Sequence, residues 1–104
     1  MADAAPAPSI RHVPGEAGGD FLLERDGKRV GELTYAASGG RMVIHHTGVD
    51  PSLRGSGAAR RLLDAAVAHA RAGGLKVIPR CSYAAAVFAR TPEWADLLAG
   101  GSGG

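Results

Sequence analysis

"HTGVDPSLRGSGAARRLLDAAVAHARAGG", from His46 to Gly74, is the stretch that decides the fold. It leaves a β-rich run, passes through Asp-Pro and Arg-Gly-Ser-Gly, and enters an alanine-rich segment with apolar residues at 58/59, 62/63, 66/67 and 70. That spacing is the stripe of an amphipathic helix packed on a sheet, and Gly73-Gly74 stops it. Glycine costs backbone entropy wherever it sits, so two glycines at the mouth of a helix imply that something approaches the bare backbone there. The first amides of a helix lack intrahelical acceptors and carry the positive end of its dipole. Arg54, Gly55, Ser56, Gly57, Ala58 and Ala59 are therefore candidates to cradle a pyrophosphate, in a local field raised by Arg54, Arg60 and Arg61. The six letters alone read equally well as a plain strand-to-helix loop. GxxxxGK[ST] and GxGxxG are both absent, which argues against a nucleoside-triphosphate hydrolase and a dinucleotide fold.

Upstream, "MVIHHTGV" from Met42 to Val49 is β-rich. Strict alternation puts Val43, His45, Thr47 and Val49 on one face and Met42, Ile44 and His46 on the other. Before it, "FLLERDGKRVGELTY" reads as a hairpin, with strands near Phe21–Arg25 and Val30–Tyr35 and a turn at Asp26-Gly27. Ile10 to Val13 adds a possible edge strand, ended quickly by Pro14 and the following glycines. Downstream, "LKVIP" is a short strand, and a helix between strands usually returns parallel and right-handed. Cys81 to Ala89 reads as a helix, and Thr91-Pro92 caps a last short one carrying Trp94, Leu97 and Leu98. The expected class is α/β, in the order β-β-β-α-β-α-α, with helices on a mixed antiparallel and parallel sheet.

A length of 104 residues fits one domain. Residues 1–19 read as a mostly flexible leader, 20–99 as the domain and 100–104, "GGSGG", as a flexible tail. Hydrophobic residues at 45% and charged residues at 21% exclude disordered and collagenous classes. No run is long and apolar enough for a membrane span, and the start lacks a secretory signal's order, so a cytoplasmic address is expected. Net charge is only +2, without a long Lys/Arg run or interleaved aromatics, which argues against nucleic acid as a partner. No metal cluster is expected, and a monomer or weak dimer is.

The glycine turn resembles the pyrophosphate-binding signature of the GNAT-type N-acetyltransferases, [Q/R]-x-x-G-x-[G/A] at the start of a helix after a strand: Arg54, Gly57 and Ala59 match in register. A wider pattern, "HT.V....RG.G.A..L...A..HA" followed by "P.CSY", is similar to a minimal subfamily. It is matched by His46-Thr47, Val49, Arg54-Gly55, Gly57, Ala59, Leu62, Ala66, His69-Ala70, Pro79 and Cys81-Ser82-Tyr83, with Pro92 and Trp94 later. The match runs from about Phe21 to Ala99. The resemblance implies a reduced GNAT-like fold and acetyl-coenzyme A as cofactor, its pyrophosphate on the turn and its pantetheine along the strand ending at Val49. It further implies acetyl transfer to an amine whose identity the residues leave open. Tyr83 joins the cofactor-binding candidates. Larger relatives often carry Asn-x-x-Ala-x-x-x-Tyr after the second strand, the Tyr protonating the departing thiolate; here Cys81, Ala84 and Phe88 hold that spacing, and Phe88 has no hydroxyl. Helices that line the acceptor cleft in full-length relatives are missing before the glycine turn, which points to an exposed or macromolecular amine acceptor, or to very poor catalysis.

A linear arm running back from the turn at ~3.3 Å per residue ends near His46, which would sit beside the thioester. Cys81 follows the partner strand and opens a helix, at the carboxyl edge where open α/β sheets place ligands. Either a Cys81 acyl-enzyme or direct transfer with His46 as general base fits. Each also has a bland reading, Cys81 as a packed small hydrophobe and His46 as a structural strand histidine. His45 and His69 read as structural or solvated. The rival function is a non-catalytic acyl-coenzyme A sensor or interaction module.

Overall fold

The computed structural model describes residues 8–99; the expected tail 100–104 and residues 1–7 lie outside the described residues. Strands β1 (Ser9–Gly15), β2 (Gly18–Arg25), β3 (Lys28–Ser38) and β4 (Arg41–Val49) form an antiparallel meander, followed by helix α1 (Ala58–Gly73), strand β5 (Lys76–Pro79) and helix α2 (Ser82–Ala89). The sheet order is simply β1-β2-β3-β4-β5, with β5 parallel to β4. The three expected meander strands are all present, and a fourth precedes them.

That strand is the edge strand read at Ile10–Val13, longer at both ends than expected and lying within the segment 1–19 expected to be mostly flexible. Residues 9–15 pair with β2 along their whole length, Pro14 opposite Gly19 included. Proline is tolerated because β1 is the outermost strand. The last helix is a six-residue 3-10 turn, Pro92–Leu97. Thr91 does precede it, but its hydroxyl donates back to the Val87 carbonyl at 2.6 Å and caps nothing. Beyond the turn, the Ala99 amide donates to Val77, extending the sheet past β5 by a single bridge between Val77 and Leu98.

One face of the sheet carries the core. Phe21, Leu23, Leu33, Tyr35, Met42, Ile44 and Val77 meet Leu62, Leu63, Ala66, Val67 and Ala70 of α1, and Ala84, Val87 and Phe88 of α2. The helical stripe is the one read from the sequence, and Gly74, at φ 69°, closes α1 by giving its amide to Ala70 and Arg71. Burying these side chains contributes about 1.5–3 kcal/mol for each large aliphatic residue. Gly18, at φ 154°, would place a Cβ 2.1 Å from the Tyr35 carbonyl, so only glycine lets β2 lie this close to β3.

The sheet is not regular. Thr34 pairs with His46 but Tyr35 pairs with Ile44, leaving His45 without a partner on β3. This one-residue bulge resets the alternation. Met42, Ile44, Thr47 and Val49 all lie on the helix-covered face, with Ala37, Tyr35, Leu33 and Gly31 of β3 opposite them. His46 and Val43 lie on the outer face. The face assignment expected from strict alternation is therefore wrong for Thr47, Val49 and His46.

Candidate functional site

The loop between β4 and α1 is built to hold the glycine turn rigid. The Asp50 carboxylate accepts the Ser52 amide at 3.0 Å, which lowers the Asp50 pKa below the usual carboxylate range, and a 3-10 turn over Pro51–Leu53 follows. Leu53, buried in the core, anchors the loop. Gly55 and Gly57 then adopt left-handed backbone, φ 79° and 87°, and a Cβ on either would meet no protein atom within 4 Å. The glycines are needed for chain direction and for an open approach.

The amides of this turn divide in two. Arg54 donates to the Pro51 carbonyl (3.2 Å), Ser56 to Leu53 (3.1 Å) and Ala58 to the Ser56 hydroxyl (3.3 Å). Among the described residues, no acceptor is bonded to the amides of Gly55, Gly57, Ala59 or Arg60. The expectation of a continuous bare run from Arg54 to Ala59 is thus corrected: alternate amides are spent on the turn itself. The free ones stand at the positive end of the α1 dipole.

They border a cavity of about 330 Å³ lined by Val49, Arg54, Gly55, Gly57, Ala58, Ala59, Arg60 and Tyr83. Every expected cofactor-binding residue but Ser56 lines it. Ser56 turns away, its hydroxyl donating to the Leu53 carbonyl at 2.5 Å. Burial pushes the Tyr83 phenol up from its ordinary pKa, against the opposing pull of Arg60 and Arg90, so the hydroxyl carries its proton at neutral pH.

From Val49 the same strand face leads to Thr47, and there β4 is alone. Pairing with β5 runs only from Arg41↔Lys76 to Ile44↔Pro79. The amides of Arg80 and Cys81 both close on the Ile44 carbonyl at 3.0 Å, and β5 turns into α2. The remaining five residues of β4, from His45 to Val49, have no β5 partner. This leaves a gap between the two strands at their carboxyl ends.

Cys81 stands at that gap as the N-cap of α2. Its Sγ accepts the Ala84 amide at 3.4 Å, and the thiol donates to the Thr47 hydroxyl at 3.6 Å. Thr47, which sequence reasoning left without a role, is brought here by the bulge; only a break in the period-2 pattern could have signalled it. His46 is not brought to Cys81. It lies across the strand on the outer face, with Nε2 at 3.4 Å from Glu32, itself paired with Arg29 at 3.2 Å. Phe88 is buried against Trp94, ring centroids 5.0 Å apart, and does not line the cavity. His69, on α1, is half-buried against His12 and Phe21.

Among the described residues, no group of three or more His, Cys, Asp or Glu could hold a metal, and no helix is long and apolar enough to cross a membrane.

Comparison with known proteins agrees with this architecture. A search of curated proteins finds no significant match. Among solved structures, a GCN5-like N-acetyltransferase from Staphylococcus aureus is 32% identical, superposes with a TM-score of 0.68 and shares 88% of each chain. The ribosomal-protein-S18-alanine N-acetyltransferase of Escherichia coli is 25% identical with a TM-score of 0.59, over 71% of this chain and 50% of that one. A GNAT-family acetyltransferase from Desulfovibrio desulfuricans shares the fold at 22% identity and a TM-score of 0.55, over 59% of this chain; the match spans only 41% of the Desulfovibrio protein. Residues 20–97 match the model of a GCN5-related N-acetyltransferase family, and the chain belongs to that family.

Proposed function

We propose that this protein is an acetyl-coenzyme A-dependent N-acetyltransferase that passes the acetyl group through Cys81 to an amine. The observation that carries the reading is the cavity in which the uncommitted amides of the glycine turn, Val49 and Tyr83 converge, one strand step from the gap at Thr47 and Cys81. The Gly55, Gly57, Ala59 and Arg60 amides would hold the pyrophosphate, and the pantetheine would run past Val49 toward the gap.

In that pose the Cys81 sulfur attacks the thioester carbonyl carbon. A carbon–sulfur bond to Cys81 forms as the one to coenzyme A breaks; the leaving thiolate takes a proton from the Tyr83 phenol, and the Cys81 proton goes to solvent. The acceptor amine then attacks the acetyl-cysteine, releasing the Cys81 thiolate. The amine's proton passes to solvent, because His46, paired with Glu32 on the outer face, is not beside Cys81. Neither helix packs over Glu32 and His46, which suits an amine presented by a larger molecule; the E. coli neighbour, by its name, acts on a ribosomal protein. The protein would work wherever acetyl-coenzyme A is available, the cytoplasm being the expected place, as a monomer or weak dimer.

Isothermal titration with acetyl-coenzyme A, followed by thiol release with a panel of amines and intact-mass measurement, tests this. Saturable binding, amine-dependent thiol release and a trapped acetyl adduct on Cys81 are expected. Absence of binding at millimolar concentrations overturns the reading, and binding with no thiol release under any condition favours the acyl-coenzyme A sensor instead.

A further inference from the structure

Met42, Ile44, Thr47 and Val49 are the β4 residues on the helix-covered face, and Thr47 alone among them is polar. A valine would pack there with the same branched shape and the same preference for a strand. A hydroxyl on a half-buried face, by contrast, costs free energy unless it is hydrogen-bonded. Among the described residues the one side-chain bond of the Thr47 hydroxyl is that accepted from the Cys81 thiol at 3.6 Å, and its own proton goes to no protein acceptor. A hydroxyl has one donor and two acceptor sites, and its hydrogen turns freely. The oxygen that accepts from a thiol can therefore donate to a thiolate with no heavy atom moving. The sulfur already takes the Ala84 amide at 3.4 Å from the α2 side. Main chain fixes both partners: the Arg80 and Cys81 amides close on the Ile44 carbonyl at 3.0 Å, and Thr47 is paired opposite Leu33 on β3.

We infer that Thr47 is a positioning residue for acyl transfer: its hydroxyl turns from acceptor to donor as the Cys81 thiol loses its proton, and holds the sulfur anion between β4 and α2 with a lone pair left for the thioester. The inference rests on the reading of Cys81 as the acyl carrier. Thr47 keeps its own proton throughout. The thiol proton goes to solvent, and the carbon–sulfur bond to Cys81 forms as the one to coenzyme A breaks. The bond from Thr47 then lapses, since a thioester sulfur is a poor acceptor. When the amine displaces the acetyl group, the same anion forms again and the hydroxyl donates once more. One side chain thereby favours the nucleophile of the first step and the leaving group of the second.

Cys81 is the single cysteine, so its alkylation by iodoacetamide reads the thiolate in the intact chain without any cofactor. Thr47→Val should slow alkylation at pH 7 about fivefold, the scale of one hydrogen bond to an ionised group less the nucleophilicity that a weakly bonded anion regains. At pH 10, above the ordinary thiol range, the same variant should react no more slowly than the wild type. Thr47→Ser, which keeps the hydroxyl, should stay within about twofold of the wild type at both pH values. With acetyl-coenzyme A, the acetyl adduct should build up more slowly on Thr47→Val by a similar factor while the dissociation constant of the cofactor is unchanged. Equal alkylation of Thr47→Val and wild type at pH 7 overturns the inference. So does equal slowing at both pH values, which marks altered access to the sulfur, or a Thr47→Ser chain that behaves as Thr47→Val. An adduct that forms as fast on Thr47→Val as on the wild type removes the role of Thr47 and leaves the Cys81 route standing. The expected alkylation pattern with no adduct on the wild type removes the Cys81 route and leaves Thr47 as the partner of the anion. Thermal melting of both variants separates these outcomes from misfolding.

Discussion

The Cys81 thiol donates to the Thr47 hydroxyl at 3.6 Å, across the point where β4 and β5 part, because β4 carries one residue more than β3 can pair. Without that bulge Thr47 would face outward. The relation separates two roles of Cys81, helix cap and reactive thiol, that substitutions can divide.

Cys81→Ala removes the acceptor of the Ala84 amide and should cost about 1 kcal/mol, as loss of an N-cap does. Cys81→Ser keeps an acceptor there and should be at least as stable as the wild type. Both should lose the trapped acetyl adduct while binding acetyl-coenzyme A nearly normally. Urea unfolding and intact-mass spectrometry read the two effects; unchanged turnover in Cys81→Ser would make the residue structural.

Tyr83→Phe removes the hydroxyl proposed to protonate the leaving thiolate. Turnover should fall about 100-fold or more, on the scale of a lost general acid, with cofactor affinity nearly kept. Phe88→Tyr should not rescue it, since Phe88 is 6% exposed, is packed on Trp94 and does not line the cavity. Steady-state kinetics of the single and double variants decide this.

Gly57→Ala forces a side chain into φ 87° with open space around it. The strain should cost about 1 kcal/mol, and the new methyl, meeting no protein atom, should intrude on the ligand instead. Acetyl-coenzyme A affinity is therefore expected to fall more than tenfold while the melting temperature moves only a few degrees; calorimetry measures both.

His12 makes stability depend on pH. Its ring stacks on Phe21 at 4.3 Å, its Nε2 lies 2.6 Å from the Tyr35 hydroxyl, and the His69 ring stands 4.5 Å away. Burial first, then the His69 charge, lower the His12 pKa below its ordinary 6.5. The unfolded chain then takes up a proton that the folded one resists, so this contribution is intact above pH 6.5 and is lost as pH falls through and below it. Urea midpoints should drop between pH 7.5 and pH 5, and His12→Gln should flatten that part of the profile.

The helix stripe of α1, the parallel return of β5 and the glycine turn were legible because each is written in local spacing: residues 58 to 70, Leu75 to Pro79, Arg54 to Ala59. The site's handedness was not. A bulge is one unpaired residue, His45, and nothing in "VIHHTGV" marks which of its neighbours will lose a partner; period-2 counting therefore put Thr47 and Val49 on the face opposite Met42 and Ile44, and His46 on the same face as those two. The edge strand was undervalued for a related reason. Pro14 argues against a central strand, and only tertiary placement at the sheet's border removes the objection. The His12–Tyr35–His69 cluster joins three elements and has no local signature at all.

The sheet's two borders also say something about crowding. On the far side, the Val77–Leu98 bridge and the Ala99 amide occupy groups that a stray chain would otherwise zip onto. On the near side, β1 presents a proline and an arginine, Arg11, clamped to Glu24 at 2.8 Å. Borders finished in this manner discourage strand-by-strand stacking of neighbouring molecules, so solutions of this small protein should stay clear when concentrated.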